Sequence, residues 1–310
     1  MLAEHGSFTS AYYSTLLRLH AQADWIEPST NDWSTAKGKR YKELVADGFA
    51  LTNPVDRMQE IKAREFSIQN AVALSVFCFS GYQETQWMQL YNTRAGKFAD
   101  DGEYMIGAHG YRMRGQLQQA ARLLKYDRRS RRAMVTVYSQ DDIFRNSKDV
   151  PCVATLHFAI RKNSLDLMVH MRSQSAIFVM PYDVFSFTVI QELMAMELGC
   201  SIGRYYHMCN SLHYFESEEP MMEKILAEGM PAETTPIGFF PVPATLKGVI
   251  CDSRERYFDY IADKLTYYKS RTAEQGAAEA GPLLPRDGGA DGFTVDMRAP
   301  ASGGGDHHNR

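Results

Sequence analysis

Leu156, Phe158 and Ile160 alternate with less apolar residues, and so do Leu165, Leu167, Val169 and Met171. Period-two alternation marks strands with one buried face, and two such runs across a short polar break read as a β-hairpin from Val153 to Met171. A two-residue turn at Lys162-Asn163 sets the register. Carried back along the pair, that register puts Cys152 opposite Ser173, with Arg172 beside it. Helical spacing appears at residues 8–23, with Tyr12, Leu16, Leu17 and Leu19 apolar, and at 65–80, which is nearly all apolar toward its end and so predicted to be central. Further helices are predicted at 115–126, 184–199, 219–229 and 251–269. Strands are predicted to end near Leu51, to run from Ala133 to Ser139, and to fill the apolar and aromatic stretch from Ile202 to Phe215. Residues 94–115 read as loop. These elements do not alternate as βαβ units, which argues for the α+β class.

From residue 273 the chain turns to Gly, Ala, Pro and Asp without periodicity and ends in ASGGGDHHNR. The division predicted is a folded domain over 1–272 and a flexible tail over 273–310. A net charge of −3 makes a polyanion an unexpected partner. No apolar run reaches the roughly 18 residues of a membrane span. The start has neither a basic segment nor an apolar one of the kind a signal peptide needs. The 5 cysteines are scattered and form no CxxC pair, so no zinc site is expected and a reduced, cytoplasmic setting fits.

The candidate chemistry is concentrated in two segments. Pro151-Cys152 leads into the hairpin, and Arg172-Ser173 leaves it, with Asp183 eleven residues beyond the arginine. A guanidinium beside a thiol favours the thiolate, the form a nucleophilic cysteine needs. Asp183 precedes an apolar helical run, so a helix N-cap is one reading of it. The other reading is a carboxyl that recognises a ligand.

These residues resemble the thymidylate synthase superfamily, which carries a Pro-Cys nucleophile, a phosphate-binding Arg-Ser about twenty residues later, and an asparagine eleven residues past that arginine that reads the pyrimidine. Here the asparagine is Asp183. An asparagine amide complements the acceptor O4 and donor N3 of uracil. A carboxyl can accept from N4 of cytosine, and pairs with N3 only through a shared proton. The change resembles the cytidylate hydroxymethylase branch of the family. Ser130-Arg131-Arg132 is similar to the family's Ser-Arg-Arg, which implies that Arg131 and Arg132 reach the phosphate bound by the partner subunit. A solvated basic loop would look the same. Asn210 to Phe215 is similar to the segment that holds the sugar hydroxyl. His213 is kept, and Phe215 replaces a tyrosine, which reads as a site remodelled for ribose or simply as core.

The departures from the family are on the reacting side. The catalytic glutamate of the second helix falls on Ala71 or Leu74, and Glu65 is the nearest acid. His109 or His157 with water is the candidate replacement for the proton relay. The folate-contacting aspartate is Ser175, followed by Ala176. Lys37, Lys39 or Arg40 stands where the family has an N-terminal phosphate arginine.

The resemblance implies an α+β, thymidylate synthase-like fold, with large sheets packed back to back in a homodimer. It also implies a cytidylate 5-hydroxymethylase using 5,10-methylenetetrahydrofolate without a metal, taking CMP ahead of dCMP and supplying nucleoside antibiotic biosynthesis. A dCMP hydroxymethylase, a dUMP thymidylate synthase and an inactive nucleotide-binding relative are the alternatives.

Overall fold

The predicted hairpin forms with the predicted turn. In the computed structural model, which describes residues 2–27 and 38–276, Arg161 pairs with Ser164. Lys162 and Asn163 both take positive φ, 49° and 62°, as a type I′ turn requires.

The strands are β1 (Ala3–His5), β2 (Asp24–Ile26), β3 (Tyr41–Leu51), β4 (Met134–Thr136), β5 (Val153–Arg161), β6 (Ser164–Met171), β7 (Gln174–Ser175) and β8 (Ser201–Phe215). They form one 8-stranded sheet in the order β1-β3-β8-β6-β5-β4, with β2 on β3 and β7 on β8. Pairing is parallel for β1–β3, β6–β8 and β7–β8 and antiparallel elsewhere. The α+β, thymidylate synthase-like expectation of a large mixed sheet with flanking helices is met.

The helices are α1 (Phe8–Gln22), α2 (Ile68–Ser80), α3 (Gln86–Gln89), α4 (His109–Met113), α5 (Gln116–Tyr126), α6 (Met180–Leu198), α7 (Glu219–Glu228), α8 (Leu246–Glu255) and α9 (Tyr257–Gly276). The segment predicted as one helix at 251–269 is therefore two, α8 and α9, separated at Arg256. The loop-rich stretch at 94–115 includes the short α4. Central α6 is buried on nearly every side, as a helix apolar all round must be. It packs against α2. Ser67 caps α2 by accepting from the Asn70 N–H, and Gly81 ends it at φ +66°.

Two departures from the predicted register matter for the site. α6 starts at Met180, with Pro181 in its first turn and Val179 as N-cap. Asp183 is thus inside the helix, and the N-cap reading of it is wrong. Second, the hairpin register shifts between Val153 and Thr155, and Val153 pairs with Met171. Ala154 is the additional residue of a β-bulge, which kinks the strand. The Arg172 N–H therefore donates to the Cys152 carbonyl at 2.8 Å, and Cys152 lies opposite Arg172 rather than Ser173.

The sheet has one face under α1 and α6, with α2 packed on α6, and one that no described element covers. Met134, Thr136, Thr155, His157, Met168, His170, Tyr206 and Met208 lie on the second face, in register across β4, β5, β6 and β8. Met134 is 50% and Met208 37% exposed. No described helix is long and apolar enough to cross a membrane. The tail from 277 and Lys37 lie outside the described residues.

Candidate active site

Bulge, hairpin exit and first turn of α6 bring four side chains together. The Arg172 guanidinium donates from Nε to the Pro151 carbonyl at 2.8 Å and from Nη2 to the Val150 carbonyl at 2.9 Å. It thereby fixes the approach to β5 and puts Nη2 4.0 Å from the Cys152 sulfur. The expected depression of the thiol pKa does not follow. Burial pushes the Cys152 thiol above its ordinary value, and the nearby carboxyls Asp183 and Asp149 add to that, while Arg172 pulls it down. Desolvation of the thiolate outweighs one guanidinium at this distance. Arg172→Gln should raise the thiol further and slow alkylation of Cys152 by iodoacetamide at pH 7.5 by roughly 3- to 10-fold, read by mass spectrometry of the Cys152 peptide.

Asp183 is 5% exposed. Its one side-chain partner among the described residues is Gln174, whose Nε2–H donates to Oδ2 at 3.0 Å. Burial raises the Asp183 carboxyl to about 7, and Gln174 opposes that. A carboxyl raised in this way stabilises the fold while protonated, and that contribution is lost as pH climbs through about 7. Asp183→Asn should therefore be the more stable protein at pH 8 by roughly 1–3 kcal/mol relative to its position at pH 5. Urea unfolding at the two pH values measures it.

His109 opens α4, one turn along α6 from Asp183, with its ring stacked on Phe187 at 5.9 Å and 22°. Burial, then Arg112, lowers it to about 4, so it is neutral at physiological pH. Two glycines allow this approach. A Cβ on Gly110 would lie 2.2 Å from the Cys78 carbonyl oxygen of α2, and one on Gly107 would lie 2.3 Å from the Asp149 carbonyl oxygen. Arg112 holds α4 in place, donating to the Ile106 and Val137 carbonyls and to Asp142.

His157 is on the other side of the sheet. It pairs with Met134 and Met168 on the uncovered face, while its neighbours Leu156 and Phe158 point into the core. Strand alternation thus removes it from the thiol, and the expectation of a relay role is corrected. α2 supplies no carboxylate: Ala71 is fully buried, Leu74 packs against the core, and Glu65 is exposed ahead of the helix. The acid that sequence reasoning missed is Asp149. It accepts the Gly107 N–H at 2.8 Å. Burial raises it to about 6, and its charge acts on Cys152. Its place three residues before the cysteine was the available signal.

The sugar-side candidates gather at the end of β8. Ser175 pairs with His213, and the Ala176 N–H donates to the His213 carbonyl at 2.8 Å. Burial lowers His213. Phe215 meets it edge-on at 5.2 Å and carries the Lys39 ammonium over its ring at 5.2 Å. Phe215 is half-buried and outside the core cluster, so it is not simply core. Of the two described basic candidates, Lys39 lies over Phe215. Arg40 is engaged by Glu27 at 2.8 Å and Glu216 at 2.7 Å. Ser173 is half-buried. Ala176 is fully buried in the core, so as a cofactor contact it offers no accessible side chain. Arg131 and Arg132 are exposed before β4, away from Cys152. Beside the site Arg64 donates to the carbonyls of Ile177 and Phe178 and lies over the rings of Phe178 and Tyr182.

A mixed sheet that carries Pro151-Cys152 at its bulge, beside the Arg172-Ser173 exit and the buried Asp183, fits one class of protein. The model of the thymidylate synthase family matches residues 52–237, and the chain belongs to that family. It is 28% identical over 225 residues to a protein named deoxyuridylate hydroxymethyltransferase from Bacillus phage SP01, covering 67% of this chain and 57% of that protein. A second protein of that name, from Delftia phage PhiW-14, is 29% identical over 193 residues, 57% of this chain and 54% of its own length. Thymidylate synthase of Listeria monocytogenes is 23% identical over 112 residues, 36% of this chain and 35% of that protein. The chain thus spans little more than half the length of the phage proteins it matches.

Proposed function

We propose that this protein transfers a one-carbon unit from 5,10-methylenetetrahydrofolate to C5 of CMP, water trapping the exocyclic methylene to give 5-hydroxymethyl-CMP. The observation that carries this reading is Asp183, a buried carboxyl raised to about 7 where the family places an amide. Such a group still holds its proton near neutral pH, and a cytosine edge needs that proton at N3 and an acceptor at N4. The sequence also resembles the CMP 5-hydroxymethylase of mildiomycin biosynthesis, which supports a product destined for a nucleoside antibiotic.

Cys152 adds to C6 of the ring. The C5–C6 π electrons shift toward N3, where the Asp183 proton stabilises the developing charge. C5, now enamine-like, forms the new carbon–carbon bond. The folate, when bound, supplies a one-carbon unit at the oxidation level of formaldehyde. The aromatic rim of Phe178 and Tyr182 beneath Arg64 suits its flat ring and carboxylated tail. The C5 proton then leaves to a base, and the bond between the transferred carbon and the folate nitrogen would break with it, releasing tetrahydrofolate and leaving the exocyclic methylene on C5. Asp149, titrating at about 6, fits that role in place of the family glutamate, and Asp149→Asn should slow tritium release from 5-tritiated CMP by roughly 100-fold. Neutral His109 serves to orient water. Water adds to the methylene carbon, and the sulfur departs as the C5–C6 double bond re-forms. Lys39, Arg172 and Ser173 bind the phosphate, and His213 and Phe215 face the sugar. The uncovered sheet face and exposed Arg131 and Arg132 support a back-to-back homodimer in which those arginines reach the partner's phosphate.

The names of the phage relatives favour a second reading, hydroxymethylation of dUMP. Incubation with methylenetetrahydrofolate and CMP, dCMP or dUMP, followed by mass spectrometry of the nucleotide, separates the readings. Gain of a formaldehyde unit on CMP is expected. Gain on dUMP alone, or gain of a methylene unit with oxidation of the folate, overturns the assignment.

A further inference from the structure

Hydrogen-bond polarity at the sugar end of the site is one-sided. His213 Nδ1 lies 3.4 Å from the Ser211 carbonyl. A carbonyl oxygen only accepts, so Nδ1 carries the proton and Nε2 is left as an acceptor. Burial lowers His213, outweighing the Ser211 carbonyl and the Glu43 charge, and Arg172 adds to the lowering. The ring is therefore neutral at physiological pH, and this tautomer holds. Phe215, beside it, brings no polar atom.

Glu43 on β3 is a second acceptor. It is directly opposite His213 in the antiparallel β3–β8 pair, as Tyr41 is opposite Phe215 and Val45 opposite Ser211. Opposite residues put their side chains on the same face. Ser175 of β7 is in register with His213 from the other side, so Ser175, His213 and Glu43 form one row across three strands. Tyr41 meets the His213 ring edge-on at 5.9 Å. The Ser211 hydroxyl donates to Glu43 Oε1, which holds the carboxylate beside the imidazole. Among the described residues no other group donates to this half-buried carboxylate and no cation pairs with it. Two acceptors side by side call for a ligand that brings two donors. The vicinal 2′- and 3′-hydroxyls of a ribonucleotide are such a pair. A 2′-deoxynucleotide has one hydroxyl there and leaves one acceptor without a donor.

We propose that Glu43 is a specificity-determining residue for the sugar: its free oxygen accepts from one hydroxyl of a vicinal diol while His213 Nε2 accepts from the other, so the site takes ribonucleotides ahead of 2′-deoxynucleotides. The inference rests on His213 as a sugar-facing residue of the proposed site and is independent of how Asp183 reads the base. Calorimetric dissociation constants for CMP, dCMP, UMP and dUMP are measured on the full-length wild type and on Glu43→Ala. The expected result is a ribo-over-deoxy preference of at least about 10-fold in the wild type that falls to about 3-fold or less in Glu43→Ala, with the preference between cytosine and uracil the same in both proteins. A wild type without the ribo preference, or a preference that survives in Glu43→Ala, overturns the inference. The base assignment fails separately: if the uracil nucleotides bind more tightly than the cytosine ones, the UMP-to-dUMP ratio decides the role of Glu43 by the same two outcomes. Should Glu43→Ala not fold, 3′-deoxy-CMP on the wild type decides. A loss of at least about 10-fold for each of dCMP and 3′-deoxy-CMP supports the paired acceptors. A diol from which either hydroxyl can be removed without loss overturns them.

Discussion

Asp183→Asn should exchange the substrates. kcat/KM for CMP is expected to fall by roughly 100- to 1000-fold while that for the matching uridine nucleotide rises, because one change alters both hydrogen bonds on the base edge. In the orientation that suits uracil, nitrogen toward position 4 and oxygen toward N3, the asparagine amide gives N4 of cytosine a donor facing a donor and N3 an acceptor facing an acceptor, and in a buried site neither group finds water. Asp183 is inside the first turn of α6 with α2 and the sheet around it, so the backbone has no freedom to re-aim the side chain. Steady-state kinetics on the two nucleotides at pH 7 measure the exchange. A preference unchanged within experimental error removes the carboxyl from recognition. The wild-type pH profile should carry the same signature. CMP turnover rises with pH as the Cys152 thiol, held above its ordinary value by burial, ionises. It falls again as Asp183 loses its proton above about 7.

Cys152→Ala should abolish turnover, with tritium release from 5-tritiated CMP dropping by roughly 10⁴-fold or more, while CMP still binds. The substitution removes only a half-buried sulfur. Arg172 keeps its two backbone acceptors, so the pocket should survive. Retained binding with lost exchange identifies the sulfur as the covalent partner of C6. A wild-type protein that releases no tritium would instead make the chain an inactive nucleotide-binding relative.

The sequence foretold the hairpin because a two-residue turn leaves a strand pair no choice of register. Helices α1, α2, α5 and α7 were readable for a related reason: their apolar spacing is local. The bulge was not readable. Nothing in Val153-Ala154-Thr155 marks it, and its consequence is that Cys152 answers to Arg172. The start of α6 was misjudged because aspartate is a favoured N-cap and Asp183 precedes the apolar run, whereas the helix already begins at Met180 with Pro181 in its first turn. Long-range burial accounts for the remaining errors. It sets the thiol pKa against the guanidinium, turns Asp149 into a group that titrates at about 6, and makes Gln174 the neighbour of Asp183. Ion pairs engage Arg40 with Glu27 and Glu216, distant in sequence, while Lys39, the other described candidate, lies over Phe215.

The additional residue at Ala154 works as a joint between two parts of one ribbon. From Thr155 outward the pairing obeys the turn at Lys162-Asn163; inward of it, the sulfur and its guanidinium keep their own count. Changes at the distal tip, such as a stiffer loop, a grafted peptide or a fluorescent handle, have to be absorbed before they travel as far as the chemistry. The tip of the β5–β6 ribbon is therefore the place where this scaffold can be rebuilt with the least disturbance to the end that carries Cys152 and Arg172.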